Sequence, residues 1–389
     1  MTTDFRPPDS SQVDDPVDIS GLLTPLSVGS LRLPNRFALA PMTRYATPDG
    51  VPTAAYVPYF RRRAAGGMGL LITESALIPD PSTAMDLDML SYFHDNAKAA
   101  WKPVVEAVHD EGAAIFSQLL HAGVYRGHRP SIFPDVPTAS PSGIDFYGEP
   151  IGKALSTNDI DNIIASYVKA ARDAQWAGFD GVEVHGAHGY LPDLFLWERT
   201  NQRSDRYGGA LADRTRFACE LVGALRSELG PDTVISFRFS QWKADLFDAR
   251  IANTPSELET VLGPLTAAGV DIFHPSTRRH YDAAFPDLGG ADGRLSLAGW
   301  TKKITGHPTI TVGSIALTKT IGESGATAGG HADIASLHAL VRQYERGEFD
   351  IAAIGRAALA NPDIVHKIHS GRSQELIPYN ESRHKLTLR

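Results

Sequence analysis

Eight short runs of β-branched and apolar residues recur along the 389-residue chain, each followed by a longer stretch with helical spacing. The runs are RFALAP (36–41), GLLITESAL (69–77), AIFSQLL (114–120), GVEVHG (181–186), TVISFRFS (233–240), DIFHPS (271–276), TITVGS (309–314) and DIAAIG (350–355). Helices are expected around 53–65, 96–111, 157–177, 212–229, 255–268, 296–305, 333–346 and 361–369. Ser156 and Thr157, with Asp159 nearby, make a helix start, and Gly112, Gly178, Gly230, Gly269 and Gly306 sit where helices should stop. Eight βα units predict one (β/α)8 TIM barrel. The alternative is a doubly wound open sheet, which would normally carry an early GxGxxG turn, and none is present.

The barrel is expected over residues 21–375. It lies between a flexible N-terminal extension (1–20), acidic and rich in Pro and Ser, and a C-terminal tail (376–389). The tail is basic and has the reach to touch a neighbouring subunit, should the protein be a homo-oligomer. Segments 121–155 and 241–254 exceed ordinary loop length and leave the C-terminal ends of strands three and five, the face where barrels place their active sites. A net charge of −8 argues against a nucleic-acid partner. No apolar run approaches the ~20 residues of a bilayer span, and the N-terminus does not read as a secretory signal. No membrane partner and a cytoplasmic location are therefore expected. Cys219 is the lone cysteine, so neither an intrachain disulfide nor a cysteine-ligated iron–sulfur cluster can form.

Polar residues gather at the strand ends. Strand one runs into Pro41, Met42, Thr43 and Tyr45, strand two carries Glu74 and Ser75, and strand three carries Gln118 and then His121. Strand four runs into HGAHGYL, so that His185, His188 and Tyr190 can face one small ligand. Two imidazole N–H groups aimed at one oxygen polarise a carbonyl, and a phenol is a competent proton donor. The competing readings are a core histidine with a packing tyrosine, or a metal site completed by His121 or Glu74; no metal is expected. Gly313-Ser314 and Gly355-Arg356, after strands seven and eight, fit the usual phosphate site of barrels, against the plainer reading of two tight turns. Arg238 lies within strand five, either in an ion pair with Glu183 or neutralising an anion on a cofactor. A phosphate anchor facing a His/His/Tyr set implies a phosphorylated cofactor under a small substrate.

These residues sit in motifs that resemble the Old Yellow Enzyme family of FMN-dependent oxidoreductases. The motifs are LLTPLSVGSLRLPNRFALAPMTR, SQLLHAG, HGAHGYL, TNQRSDRYGG and GRAALANPD, in family order over about Leu22 to Lys367. The resemblance implies a non-covalent FMN. Thr43, after Pro41 and Met42, would meet its C4 carbonyl, and Gln118 its pyrimidine end, with Ser75 adding a hydrogen bond close by. Arg238 would sit beside N1 and O2, and Gly313, Ser314, Gly355 and Arg356 would hold the phosphate. His185 and His188 would hold the substrate's carbonyl oxygen, His185 also bordering the cofactor; Tyr190 would donate the proton, and Tyr45 would line the substrate pocket. Thr43 stands where some members carry Cys, His188 where others carry Asn, and Ser75 where Ala or Gly is frequent.

The implied reaction is reduction of the activated C=C bond of an α,β-unsaturated carbonyl compound. NADH or NADPH would be the hydride donor in a ping-pong cycle, with hydride delivered from flavin N5 and Tyr190 as proton donor. The alternatives are an FMN-dependent oxidative dehydrogenase or demethylase, a non-redox phosphate-binding lyase or isomerase, and a non-catalytic FMN carrier. The lyase or isomerase would usually need a lysine or metal set at a strand end, and none of the eight runs ends in lysine.

Overall fold

A computed structural model of the chain describes residues 16–84, 89–128, 131–244, 246–320, 333–384 and 387–388. Eight strands close a barrel: β1 (Phe37–Leu39), β2 (Leu70–Leu77), β3 (Ala114–Leu120), β4 (Gly181–His188), β5 (Val234–Lys243), β6 (Ile272–Ser276), β7 (Ile310–Val312) and β8 (Ile351–Ile354). Every pairing is parallel, and neighbours in space are neighbours in sequence. The outer helices are α1 (Tyr56–Ala65), α2 (Asp95–His109), α3 (Thr157–Ala177), α4 (Arg216–Leu229), α5 (Pro255–Ala268), α6 (Leu297–Thr305), α7 (Ile334–Glu345) and α8 (Ile364–His369). The (β/α)8 expectation is met, and the open-sheet alternative is excluded by closure.

Local chemistry explains the helix ends. Ser156 and Asp159 form a reciprocal capping box at the start of α3, and Gly178 closes it in the left-handed region at φ 98°. Thr254 and Ser296 cap α5 and α6 through their hydroxyl oxygens. The helix expected over 212–229 divides at Thr215, and the one over 361–369 is reduced to α8 by Pro362, with a separate turn at Arg356–Ala360.

The barrel interior is layered. Its lower part is apolar, filled by Ile72, Phe116, Val234, Ile272, Ile310 and Ile351. A hairpin that sequence reading missed, Leu26–Val28 with Leu31–Leu33, seals this end by adding Val28 and Leu33 to the same cluster. Polar side chains take over toward the C-terminal mouth. Of the expected N-terminal extension, residues 1–15 lie outside the described residues, whereas Val17 and Ile19 are buried, so the packed chain begins before residue 21. The described part of the tail lies on the barrel of its own chain: Leu376 and Tyr379 are buried, and Arg62 donates to the Leu388 carbonyl at 3.0 Å.

Two strands outrun their expected ends. β4 continues past a bulge between Gly186 and His188, and β5 continues to Lys243, which pairs with His188. His188 is therefore the last residue of a strand, at φ 61°, rather than part of the following turn. The long segment 121–155 contains a 3-10 turn (Gly123–His128) and a two-stranded ladder (Ala139–Ser140 with Lys153–Ala154).

Candidate active site

The mouth of the barrel holds a connected polar layer. Register places Gln118 beside Glu183 and Glu183 beside Ser236, with His185, Arg238 and His274 one step higher. Glu183 Oε1 accepts from Gln118 Nε2 at 2.8 Å; its Oε2 accepts from Ser236 Oγ at 2.8 Å and contacts His274 Nδ1 at 2.7 Å. Ser75 Oγ donates to Gln118 Oε1. Burial alone would push the Glu183 carboxyl up, but His274, Arg238 and Ser236 outweigh it and hold the group below the usual carboxylate range.

Arg238 is 7% exposed and donates from Nη2 to Ser276 Oγ at 3.2 Å. Its Nε is buried with no hydrogen-bond partner. Among the described residues no hydrogen bond joins it to Glu183, whose oxygens are taken by three other groups. Burial lowers the guanidinium pKa, against the pull of Glu183. The ion-pair reading of Arg238 thus fails at the level of contact, and a buried donor is left aimed without an acceptor.

HGAHGYL does bring its three side chains together. The His185 ring lies 4.5 Å from that of Tyr190 and 5.2 Å from that of His188, centroid to centroid. Burial first, and Arg238 second, drive both histidines well below their ordinary pKa, so both imidazoles are neutral. His188 Nε2 lies 2.8 Å from Ser276 Oγ, and its ring stacks on Trp242 at 4.2 Å. Arg238 donates to the same hydroxyl, so Ser276 ties His188 and Arg238 together. His185 Nδ1 is buried and without a partner.

Between His188 and Tyr190, Gly189 takes φ 89°, where an added Cβ would fall 2.5 Å from the Phe146 ring. Its N–H donates to Asp193 Oδ2 at 2.6 Å, and Asp193 Oδ1 pairs with Lys243 Nζ at 2.9 Å, both side chains fully buried. Burial pushes the Asp193 carboxyl up to about 6 and the Lys243 ammonium down. Lys243 is a strand-end lysine that the expected end at residue 240 concealed. Its ammonium is spent on Asp193 and the Gln241 carbonyl, and it is not on the wall of the cleft.

That cleft runs from Pro41, Met42, His188 and Arg238 to the ends of β7 and β8. Arg356 Nη2 reaches Ser314 Oγ at 3.3 Å and the Lys319 carbonyl at 2.8 Å, joining the two strand ends. Gly355 opens toward the cleft, since an added Cβ would meet nothing nearer than Met42 Sδ at 3.5 Å. Gly313 is glycine for a different reason: at φ 136°, its Cβ would fall 2.6 Å from the Thr277 carbonyl oxygen. Trp242, Ser276 and Arg278 line the same cleft and were not foreseen as binding residues; Arg278 has a buried, unpartnered Nε and lies 4.1 Å over the Phe247 ring.

Thr43 follows Pro41 and Met42 but is not on the cleft wall. Tyr45, at φ 49°, shares with Tyr190 a patch formed by Leu77, Met89, Leu120 and Ala122. The loop that carries Thr43 and Tyr45 is held from behind by Glu74, which accepts from the Arg44 N–H at 2.7 Å and from the Tyr56 hydroxyl. Burial pushes the Glu74 carboxyl up to about 7. His121 turns away from His185 and His188: Nδ1 accepts from the Gly123 N–H at 3.1 Å and Nε2 lies 3.0 Å from Ser82 Oγ. Among the described residues no group of three or more His, Cys, Asp or Glu side chains is placed to hold a metal.

Comparison with known proteins gives a consistent result. The model of the family described as NADH:flavin oxidoreductase / NADH oxidase matches residues 21–375. An NADH oxidase of Thermoanaerobacter brockii is 34% identical over 360 residues, 90% of this chain and 50% of the relative. A 12-oxophytodienoate reductase 2 of Arabidopsis thaliana is 39% identical over 223 residues, 55% of this chain and 59% of the relative. The chain thus spans between half and three-fifths of the length of these two relatives. A solved structure of morphinone reductase in complex with tetrahydroNAD superposes with a TM-score of 0.72 at 29% identity, over 90% of this chain and 91% of that one.

Proposed function

The chain belongs to the NADH:flavin oxidoreductase / NADH oxidase family, the Old Yellow Enzyme family, and on that premise we propose that it is an FMN-dependent ene reductase driven by NADH or NADPH. The observation that carries this reading is the Arg238 guanidinium. It is buried beside neutral histidines with Nε unspent, and it faces a cleft whose far end carries the open side of Gly355 and the cation of Arg356. That donor set fits FMN: a fixed cation at the ring and a glycine–arginine rim at the phosphate.

FMN, when bound, would supply the two-electron hydride chemistry that links a nicotinamide to the activated C=C bond of the substrate. Arg238 would stabilise negative charge at the pyrimidine end, and Gln118, held by Ser75 and Glu183 beside it, would add a hydrogen bond there. Pro41 and Met42, on the cleft wall, would border the ring, with Thr43 next to them in the chain, and Gly313, Ser314, Gly355 and Arg356 would hold the phosphate. His185 and His188 donate N–H groups to the carbonyl oxygen of an α,β-unsaturated substrate, which draws electron density from the β-carbon. Their low pKa keeps them neutral, so the oxygen is polarised without being protonated. Tyr190, in ring contact with His185, gives its proton to the α-carbon, and Tyr45 borders the same pocket. Nicotinamide and enone use one mouth in turn.

The test is anaerobic turnover of the FMN-loaded protein with NADH or NADPH and 2-cyclohexenone. The account expects cyclohexanone in one-to-one yield with oxidised nicotinamide. A protein that does not retain FMN, or that oxidises nicotinamide without saturating the enone, contradicts it.

A further inference from the structure

The turn that follows β7 is strained. Within four residues, Gly313, Ser314 and Ala316 take φ values of 136°, 46° and 59°. Left-handed backbone is costly for serine and alanine, and it persists only where neighbouring groups hold it. Two elements hold this turn. From the segment after β6, the His280 N–H donates to the Gly313 carbonyl at 3.0 Å. From the first turn of α7, Ser336 Oγ accepts from the Ala316 N–H and donates to the Ser314 carbonyl, each at 3.3 Å. Asp333, the cap of α7, adds its own N–H to the Ala316 carbonyl at 3.2 Å.

The holding groups are themselves joined. His280 is fully buried, with Nε2 3.2 Å from Ser336 Oγ and Nδ1 2.6 Å from Gln343 Oε1. Ser336 and Gln343 stand two helical turns apart on one face of α7, so the imidazole is wedged between two points of a single helix. Gln343 Nε2 donates to the His280 carbonyl at 3.2 Å and to Glu348 Oε2 at 3.1 Å. Buried polar groups that satisfy one another in this way form a rigid unit. Burial pushes the His280 imidazole down to about 4, so the ring is neutral and acts on the turn by position rather than by charge. What the unit fixes is the stretch Gly313, Ser314 and Ile315 on the wall of the cleft.

We propose that Ser336 and His280 are positioning residues for the flavin phosphate: they lock the turn after β7 in the shape that presents its backbone to the anion. This rests on the reading of Gly313 and Ser314 as part of the phosphate site. Neither Ser336 nor His280 lines the cleft, so both act through the turn. A turn that is already held needs no ordering when the anion arrives.

The experiment titrates FMN and riboflavin, which lacks the phosphate, into the full-length protein freed of flavin, and reads each Kd from flavin fluorescence. The wild type should bind FMN at least ~100-fold more tightly than riboflavin, as two or more charge-assisted contacts to the phosphate imply. Ser336→Ala should cut that ratio at least ~10-fold by weakening FMN alone, with the riboflavin Kd within ~2-fold of wild type. His280→Asn, which keeps a donor for Gln343 but stops short of Ser336, should lower the ratio in the same sense; His280→Gln, which reaches Ser336, should keep most of it. A ratio that neither Ser336→Ala nor His280→Asn changes, or variants that lose both flavins alike, overturns the positioning role and leaves the phosphate site intact. Equal wild-type affinity for the two flavins overturns the phosphate reading and this inference with it.

Discussion

At the scale of single residues, Arg238 decides most. A buried arginine is ordinarily explained by the carboxylate that shares its level, and Glu183 is one residue pair away. Glu183 is instead saturated by Gln118, Ser236 and His274. Arg238→Met should therefore behave unlike a broken ion pair, which costs ~3–5 kcal/mol. Urea unfolding of the FMN-free variant should show a loss within ~1 kcal/mol, while FMN affinity falls at least ~10-fold. A large stability loss with unchanged affinity would return Arg238 to a structural role. The identities of these residues were legible because each occupies a strand end within a compact motif. Their partners were not: Ser276 meets His188 and Arg238 across 88 and 38 residues of sequence, and nothing local signals it. Arg278 stood among other arginines, and only its place on the cleft wall distinguishes it.

Between elements, the informative pair is Asp193 and Lys243. Asp193, in the short helix Leu191–Leu196 that follows β4, fixes the Gly189 N–H and so the path from His188 to Tyr190; Lys243, at the end of β5, neutralises it. A charge at residue 243 breaks the apolar alternation, which is why the strand was expected to stop at 240, and the bulge after Gly186 hid the matching extension of β4. Lys243→Met leaves a fully buried carboxylate unpaired and should cost ~3 kcal/mol in urea unfolding at pH 7. Adding Asp193→Asn, which keeps an acceptor for Gly189, should recover all but ~1 kcal/mol. If the single and double variants are equally unstable, the pair does not work as a unit. Helices α3 and α5, by contrast, could be read to the residue, because Ser156, Thr254, Gly178 and Gly269 carry local capping chemistry.

In the whole molecule the division of labour is vertical. An apolar plug sealed by the 26–33 hairpin supports a polar mouth. The eightfold alternation was enough to specify the barrel, since period and order are properties of sequence. The hairpin, the packing of Val17 and Ile19 and the placement of the tail depend on surfaces that exist only once the barrel has closed. The central claim is that one mouth runs two half-reactions, with Tyr190 needed in only one. Anaerobic stopped-flow on wild type and Tyr190→Phe tests it most directly, following flavin bleaching near ~450 nm by NADPH or NADH and then its return on mixing with 2-cyclohexenone. Bleaching should proceed within about two-fold of wild type, while the return slows by ~100-fold or more, as loss of a general acid requires. Equal slowing of both phases, or of neither, would contradict the account.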